Sequence, residues 1–229
     1  MLFYFYLMGK SQKLHFQFVM PALINRYFIL YKPYNMVSQF ISTHQVGLLT
    51  DIDFIFPEGT HAIGRLDKDS EGLLLLTTNK KITRLLFLSD TPHKRTYLVQ
   101  VNNTVTQQNL EKLRNGVRFK IKEGIIYTTS PCDVNVITSP EDYCTLAPRL
   151  TGYAPFTWLL ITITEGKYHQ IRKMIGAIKH KCKRLIRVSI EDLTLGKQEP
   201  ASVKELDEKT FFNLLKLSSL NPAVPDLTC

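Results

Sequence analysis

Four consecutive leucines, Leu73 to Leu76, follow directly on a stretch of dense charge, GRLDKDSEG, residues 64 to 72. A strand that is apolar at every position has no solvent face, so this run belongs inside a sheet covered on both sides, although period alone fits a buried helix turn as well. The chain must therefore build layers above and below it. The charges ahead of it lie on a short loop, where Asp69, Ser70 and Gly72 supply turn chemistry: Asp and Ser side chains bond local amides, and glycine accepts positive φ. Asp69 and Glu71 are expected to be structural or solvated. Asp67 differs, because it directly follows a strand and sits beside Arg65, and a carboxylate near a guanidinium is a candidate nucleophile or base. A magnesium pair of Asp67 and Asp69 is the competing chemistry.

The remaining elements are legible by period. RYFILYKP is an aromatic, β-branched strand stopped at Lys32-Pro33. Lys80 to Leu88 reads as a short amphipathic helix and residues 93 to 101 as a strand; a helix capped by Thr106 closes at Asn115-Gly116. Residues 117 to 155 read as short strands and turns, and Phe156 to Thr164 as a strand. A helix from about Tyr168 buries Ile171, Met174, Ile175 and Ile178 and turns His169, Arg172, Lys173 and His180 to the other side. KRLIRVSIEDLTLG is a final strand pair and EKTFFNLLKL a C-terminal helix. No strand-helix-strand period repeats, so the class is α+β around a mixed, mostly antiparallel sheet flanked by helices.

Charge narrows the partner. The chain of 229 residues carries 29 Lys and Arg against 20 Asp and Glu, a net charge of +9. Most of the excess lies between Lys167 and Arg187, where Lys167, Arg172, Lys173, Lys179, Lys181, Lys183, Arg184 and Arg187 are opposed only by the preceding Glu165. So dense a basic patch points to phosphates. Cys132, Cys144, Cys182 and Cys229 form no CxxC pair, which argues against zinc and for the reduced thiols of a cytosolic protein. The opening MLFYFYLMGKSQK is too short in its apolar part to span a bilayer, and its basic residues come on the wrong side for a signal peptide.

GRLDKDSEGLLLLTTN resembles the GRLDxx(T/S)xGLLLLTN signature of the pseudouridine synthases, in the ribosomal small-subunit-type branch that also modifies large ribosomal RNA. Three further motifs follow the family order: YKPYNMVSQF its first motif, KRTYLVQV its KxYxV strand, and EGKYHQIRKM its third motif. LIRVSIEDLTLG matches LxRxxIGxLxL except that Glu191 stands where glycine is usual. The resemblance runs from about Arg26 to Lys197 and implies a pseudouridine synthase fold of two sublobes around a central RNA-binding cleft. It implies a catalytic domain over 26–218, with an N-terminal extension over 1–25 too short for an S4 RNA-binding domain, and a tail over 219–229.

The resemblance also implies a reaction: isomerisation of uridine to pseudouridine in ribosomal RNA, 23S before 16S, with no cofactor or metal. Asp67 maps to the catalytic aspartate, attacking C1′ or removing the C2′ proton. Arg172 maps to the arginine that bridges it, and Tyr97 to the tyrosine stacking on uracil. Arg65 maps to the residue filling the gap left by the flipped base. Lys167, His169, Gln170, Lys173, Lys183, Arg184 and Arg187 are expected to hold RNA, and Lys32, Pro33, Gly64 and Gly72 to be structural motif positions. A cytoplasmic monomer with no membrane contact and no obligate protein partner is expected. The rival readings are a non-catalytic RNA-binding or ribosome-assembly protein on the same fold, and a metal-dependent nuclease.

Overall fold

A computed structural model describes residues 24–87, 92–146 and 155–217. The expected extension over 1–25, apart from its last two positions, and the expected tail over 219–229 lie outside the described residues, as does Leu88. The apolar runs form strands β1 (Tyr27–Lys32), β2 (His61–Ile63), β3 (Glu71–Thr77) and β4 (Arg95–Asn102), with helix α1 (Ile82–Phe87) after β3. Helix α2 (Gln107–Asn115) starts where Thr106 accepts the Asn109 amide at 3.3 Å, the cap its sequence calls for. Then come β5 (Arg118–Lys120), β6 (Ile126–Thr128), β7 (Asp133–Ile137), β8 (Phe156–Ile163), α3 (Gln170–Ala177), β9 (Cys182–Ile190), β10 (Leu193–Thr194), β11 (Val203–Leu206) and α4 (Glu208–Leu214).

Among the described residues nine strands form one sheet along the path β11-β1-β3-β9-β4-β8-β7, with β2 also on β3 and β10 on β9; β5 and β6 pair separately. The mixed, mostly antiparallel sheet expected from sequence is present. Its one parallel pairing joins β3 to β9 through two registered positions, Glu71 with Ile186 and Gly72 with Arg187. Beyond Gly72 the same edge of β3 passes to β2, which pairs Leu75 to Thr77. The sheet thus consists of two halves touching along a short seam, and the space where β2 and β9 part is the cleft.

The leucine run is buried on both faces, as an unbroken apolar strand must be. Leu73 and Leu75 pack with Tyr27, Leu86, Phe211 and Phe212, under α1 and α4. Leu74 and Leu76 pack on the other side with Phe28, Leu30 and Leu49, joined by the partly buried Phe54 and Phe56. A third cluster lies between β4, β8, α2 and α3, and in it Ile171, Met174, Ile175 and Ile178 take the inward positions their spacing assigns.

Two positions fix the seam. Gly72 has φ +99°, and a Cβ there would lie 2.3 Å from the Arg187 carbonyl oxygen, so only glycine allows the strands to meet. Glu71 and Arg184, 1% and 4% exposed, form a two-pronged ion pair with Arg184 Nε 2.9 Å from Oε1 and Nη2 2.7 Å from Oε2. Arg184 is therefore not an RNA contact, and its expected role is corrected: a guanidinium this deep is retained by its carboxylate. Glu191 takes φ +48°, the left-handed conformation glycine adopts freely, and puts its carboxylate to use. That group accepts the Lys94 amide at 2.6 Å and lies 3.1 Å from Lys216 Nζ.

The seam pair makes a stability prediction. Glu71→Ala strands a buried guanidinium and should cost about 3–5 kcal/mol in urea denaturation. The double replacement Glu71→Leu with Arg184→Met should recover most of that loss, whereas equal losses in single and double variants would show that the pair does not hold the seam.

Candidate active site

The loop between β2 and β3 carries the dense charge to the cleft. Gly64, at φ +70°, turns the chain out of β2. Ser38, from the segment after β1, holds Leu66 at both backbone groups, its hydroxyl accepting the Leu66 amide at 2.9 Å and donating to the Leu66 carbonyl at 3.0 Å. The Ser70 amide then donates to the Asp67 carbonyl at 3.0 Å and closes a turn over Asp67 to Ser70. Asp67 is thereby fixed from both sides, with its carboxylate one-third exposed in the cleft.

The cleft encloses about 680 Å³ and is lined by the loop, by β4, by the turn into α3 and by β9. Arg65, Arg95, Lys167 and Arg187 line it as cations, and Asp67 is the one carboxylate among its lining residues. Tyr97, Ile163, Ile171 and Leu185 give it an apolar wall. A single anion in a cationic, partly apolar cavity suits an anionic ligand with a flat apolar part, which is the composition of a nucleotide.

Arg187 forms the deepest of these charges. It is 3% exposed, donates from Nε to the Leu73 carbonyl at 2.8 Å, and leaves Nη2 buried without a hydrogen-bond partner among the described residues. Burial pushes its guanidinium below the ordinary arginine range, and a bond with the Tyr97 side chain acts the opposite way. Arg187, expected to hold RNA, thus belongs to the floor of the cleft rather than its rim. Gln170, also expected to hold RNA, is corrected: it is 3% exposed and its amide braces the turn. Its Oε1 accepts the Lys167 amide at 2.8 Å and its Nε2 donates to Glu165 at 2.5 Å. Glu165 accepts further bonds from the Tyr127 hydroxyl and the Ser130 amide, tying the β5–β6 hairpin to the turn.

The structure separates Arg172 from Asp67. Arg172 Nη2 lies 3.2 Å from Asp69 Oδ2, donates to the Asp69 carbonyl at 2.9 Å and reaches Ser70 Oγ at 3.3 Å. The expected bridge to Asp67 is replaced by a clamp on the turn behind it. The basic ring at Asp67 is instead His169, with Nε2 3.5 Å from Oδ1. Asp67 and Asp69 thus face different side chains, His169 and Arg172, which is not how a pair sharing one magnesium ion is built. Among the described residues no three His, Cys, Asp or Glu side chains gather as a metal site.

Lys173 stands over the Phe119 and Tyr168 rings at 5.7 and 5.6 Å, and Lys167 over Tyr127 at 5.0 Å, a basic and aromatic rim beside the cleft. Lys183 is half-buried on β9 and Gly72 lies in the seam; neither lines the cleft. Lys32 is fully buried beneath it, donating to the carbonyls of Pro33 at 2.8 Å and Met36 at 2.6 Å. Arg95, Ser38 and Tyr168 have places here that the sequence reading did not give them. Arg95 had a signal, since it precedes Tyr97 by two on a strand and shares its face.

Three comparisons bear on this site. The sequence profile of the RNA pseudouridylate synthases matches residues 26–177. The chain is 40% identical over 186 residues to a ribosomal large subunit pseudouridine synthase E of Vibrio parahaemolyticus, spanning 80% of this chain and 75% of that protein. It is 36% identical over 176 residues to the protein of the same name from Xanthomonas axonopodis pv. citri, spanning 75% and 89%. A crystal structure of a pseudouridylate synthase superposes with a TM-score of 0.65 at 25% identity, over 83% of this chain and 74% of that one.

Burial lowers Lys32 from 10.5 to about 8, with Glu71, Asp69 and Asp67 acting the opposite way. Below pH 8 the ammonium is charged folded and unfolded alike, and its burial cost is constant. Between 8 and 10.5 the unfolded chain holds the extra proton, so stability rises with pH across that window. Relative to Lys32→Met, the wild type should gain roughly 3 kcal/mol from pH 8 to 10.5 in chemical denaturation. A constant difference between the two proteins would remove the perturbed lysine.

Proposed function

The chain belongs to the RNA pseudouridylate synthase family, and from that membership we propose that it isomerises uridine to pseudouridine in the RNA of the large ribosomal subunit, with Asp67 as the reacting carboxylate. The observation that carries the assignment to Asp67 is its position as the one carboxylate among the lining residues of a cationic cleft. The names of the similar Vibrio and Xanthomonas proteins support the large subunit as the source of the substrate.

The chemistry breaks the C1′–N1 bond, forms a C1′–C5 bond, releases the C5 proton and returns a proton to N1. It is redox-neutral, and the bonds exchanged lie within one nucleotide. Asp67 starts it by attack on C1′ or by removal of the C2′ proton, and both routes need a carboxylate held ionised and out of bulk water. Arg65, Arg95, Lys167 and Arg187 line the same cleft as that carboxylate, which supports this reading. Tyr97 offers the face on which uracil stacks. Arg65, exposed at the mouth, occupies the gap that the extruded nucleotide leaves in the RNA.

The rim formed by Lys167, Lys173, Tyr127, Phe119 and Tyr168 takes the flanking strand through phosphates and stacking. The working unit is a monomer, placed in the cytoplasm with its ribosomal substrate. Among the described residues no helix is long and apolar enough to cross a membrane.

Tritium release from RNA labelled at uridine C5, with EDTA present, tests the assignment. Wild type should release the label, and Asp67→Asn should fall by about a thousandfold or more while still binding the RNA. RNA binding by both proteins without release by either would leave an RNA-binding protein on this fold.

A further inference from the structure

The residue that touches Asp67 is held there at a conformational cost. His169 precedes α3 in the left-handed region, φ 53° and ψ 31°, where a residue with a Cβ is disfavoured by about 1 kcal/mol. It gains nothing there as a helix cap, for its side chain makes no bond to the free amides of the first turn. The imidazole instead lies flat on the Tyr168 ring, with centroids 3.9 Å apart and planes 18° apart. That stack directs Nε2 to within 3.5 Å of Asp67 Oδ1. A strained backbone that places one ring edge against one reactive group is characteristic of a functional turn. The cation that the third motif implied for Asp67, Arg172, is spent on Asp69.

We infer that His169 is the positioning residue of Asp67: its imidazole edge aims the carboxylate at the ribose and replaces the hydration lost when a nucleotide fills the cleft. This rests on the proposed function. The charged groups facing the pair are Arg65 on its own loop, Lys167 before α3, Arg95 beside Tyr97 on β4, Arg187 on β9, and Lys32 on β1 beneath Asp67.

Tritium release measured on wild type, His169→Gly, His169→Gln and His169→Arg tests the role of the ring. His169→Gly accepts the left-handed backbone without strain and so isolates loss of the ring. The expected result is a fall in kcat of about 10- to 100-fold in the Gly and Gln variants with KM changed less than about twofold. Imidazole added to the solution should restore part of the rate of His169→Gly. His169→Arg, which keeps an N–H donor toward Asp67, should retain most of the wild-type rate. Wild-type kcat in His169→Gly would overturn the inference, as would equal impairment of all three variants with no rescue by imidazole. If the wild type itself releases no tritium, the proposed reaction falls first and this inference with it.

Discussion

The ion pair of Glu71 and Arg184 closes the one parallel seam in a sheet that is otherwise antiparallel, and the rest of the architecture hangs from it. Parallel neighbours cannot be joined by a hairpin, so β3 and β9 meet only because distant parts of the chain converge on two registered positions. Gly72 permits the approach by having no Cβ, and the buried pair fixes its register. Asp67 lies four residues before Glu71, and Arg187 three residues after Arg184. Locking the pair therefore places the carboxylate and the floor of the cleft together without either having to make the contact itself.

That arrangement divides labour among the charges. Glu71, Arg184 and Lys32 are buried and bonded, so they act on the backbone that carries the reactive group. Asp69 is held by Arg172 and stabilises the turn. Among the described residues that line the cavity Asp67 is the only anion, and Arg65, Arg95, Lys167 and Arg187 line it too. The answer to the crowded sequence GRLDKDSEG is thus that one of its carboxylates faces the cleft and two hold the frame.

Much of this was legible in the sequence, and the failures share a cause. The leucine run, the Thr106 cap and the inward stripe of α3 are local patterns, and each is present as its period dictates. Asp67, Arg65 and Tyr97 stand in motifs whose order placed them at one site, and all three line the cleft. Arg184 departs from its expected role because a run of basic residues looks alike on a solvated helix and on a strand buried on both faces, and Gln170 because its amide is taken by Lys167 and Glu165. The signal lay across the sequence: a glutamate just ahead of four buried leucines needs a cation, and a strand reading RLIRVSI offers two. β11 escaped notice because VKEL is half polar and forms by pairing with β1 at the other end of the chain. The separation of Arg172 from Asp67 is a matter of side-chain reach within one helical turn, which spacing does not encode.

The account's central claim is that this cleft isomerises uridine in large-subunit ribosomal RNA. Its most direct test is nucleotide-by-nucleotide mapping of pseudouridine, by carbodiimide adducts that arrest reverse transcription, in unmodified large- and small-subunit RNA incubated with the protein. Adduct stops confined to defined uridines of the large-subunit RNA are the predicted result. Stops in small-subunit RNA alone, or none in either RNA under conditions where the protein is bound, would contradict it.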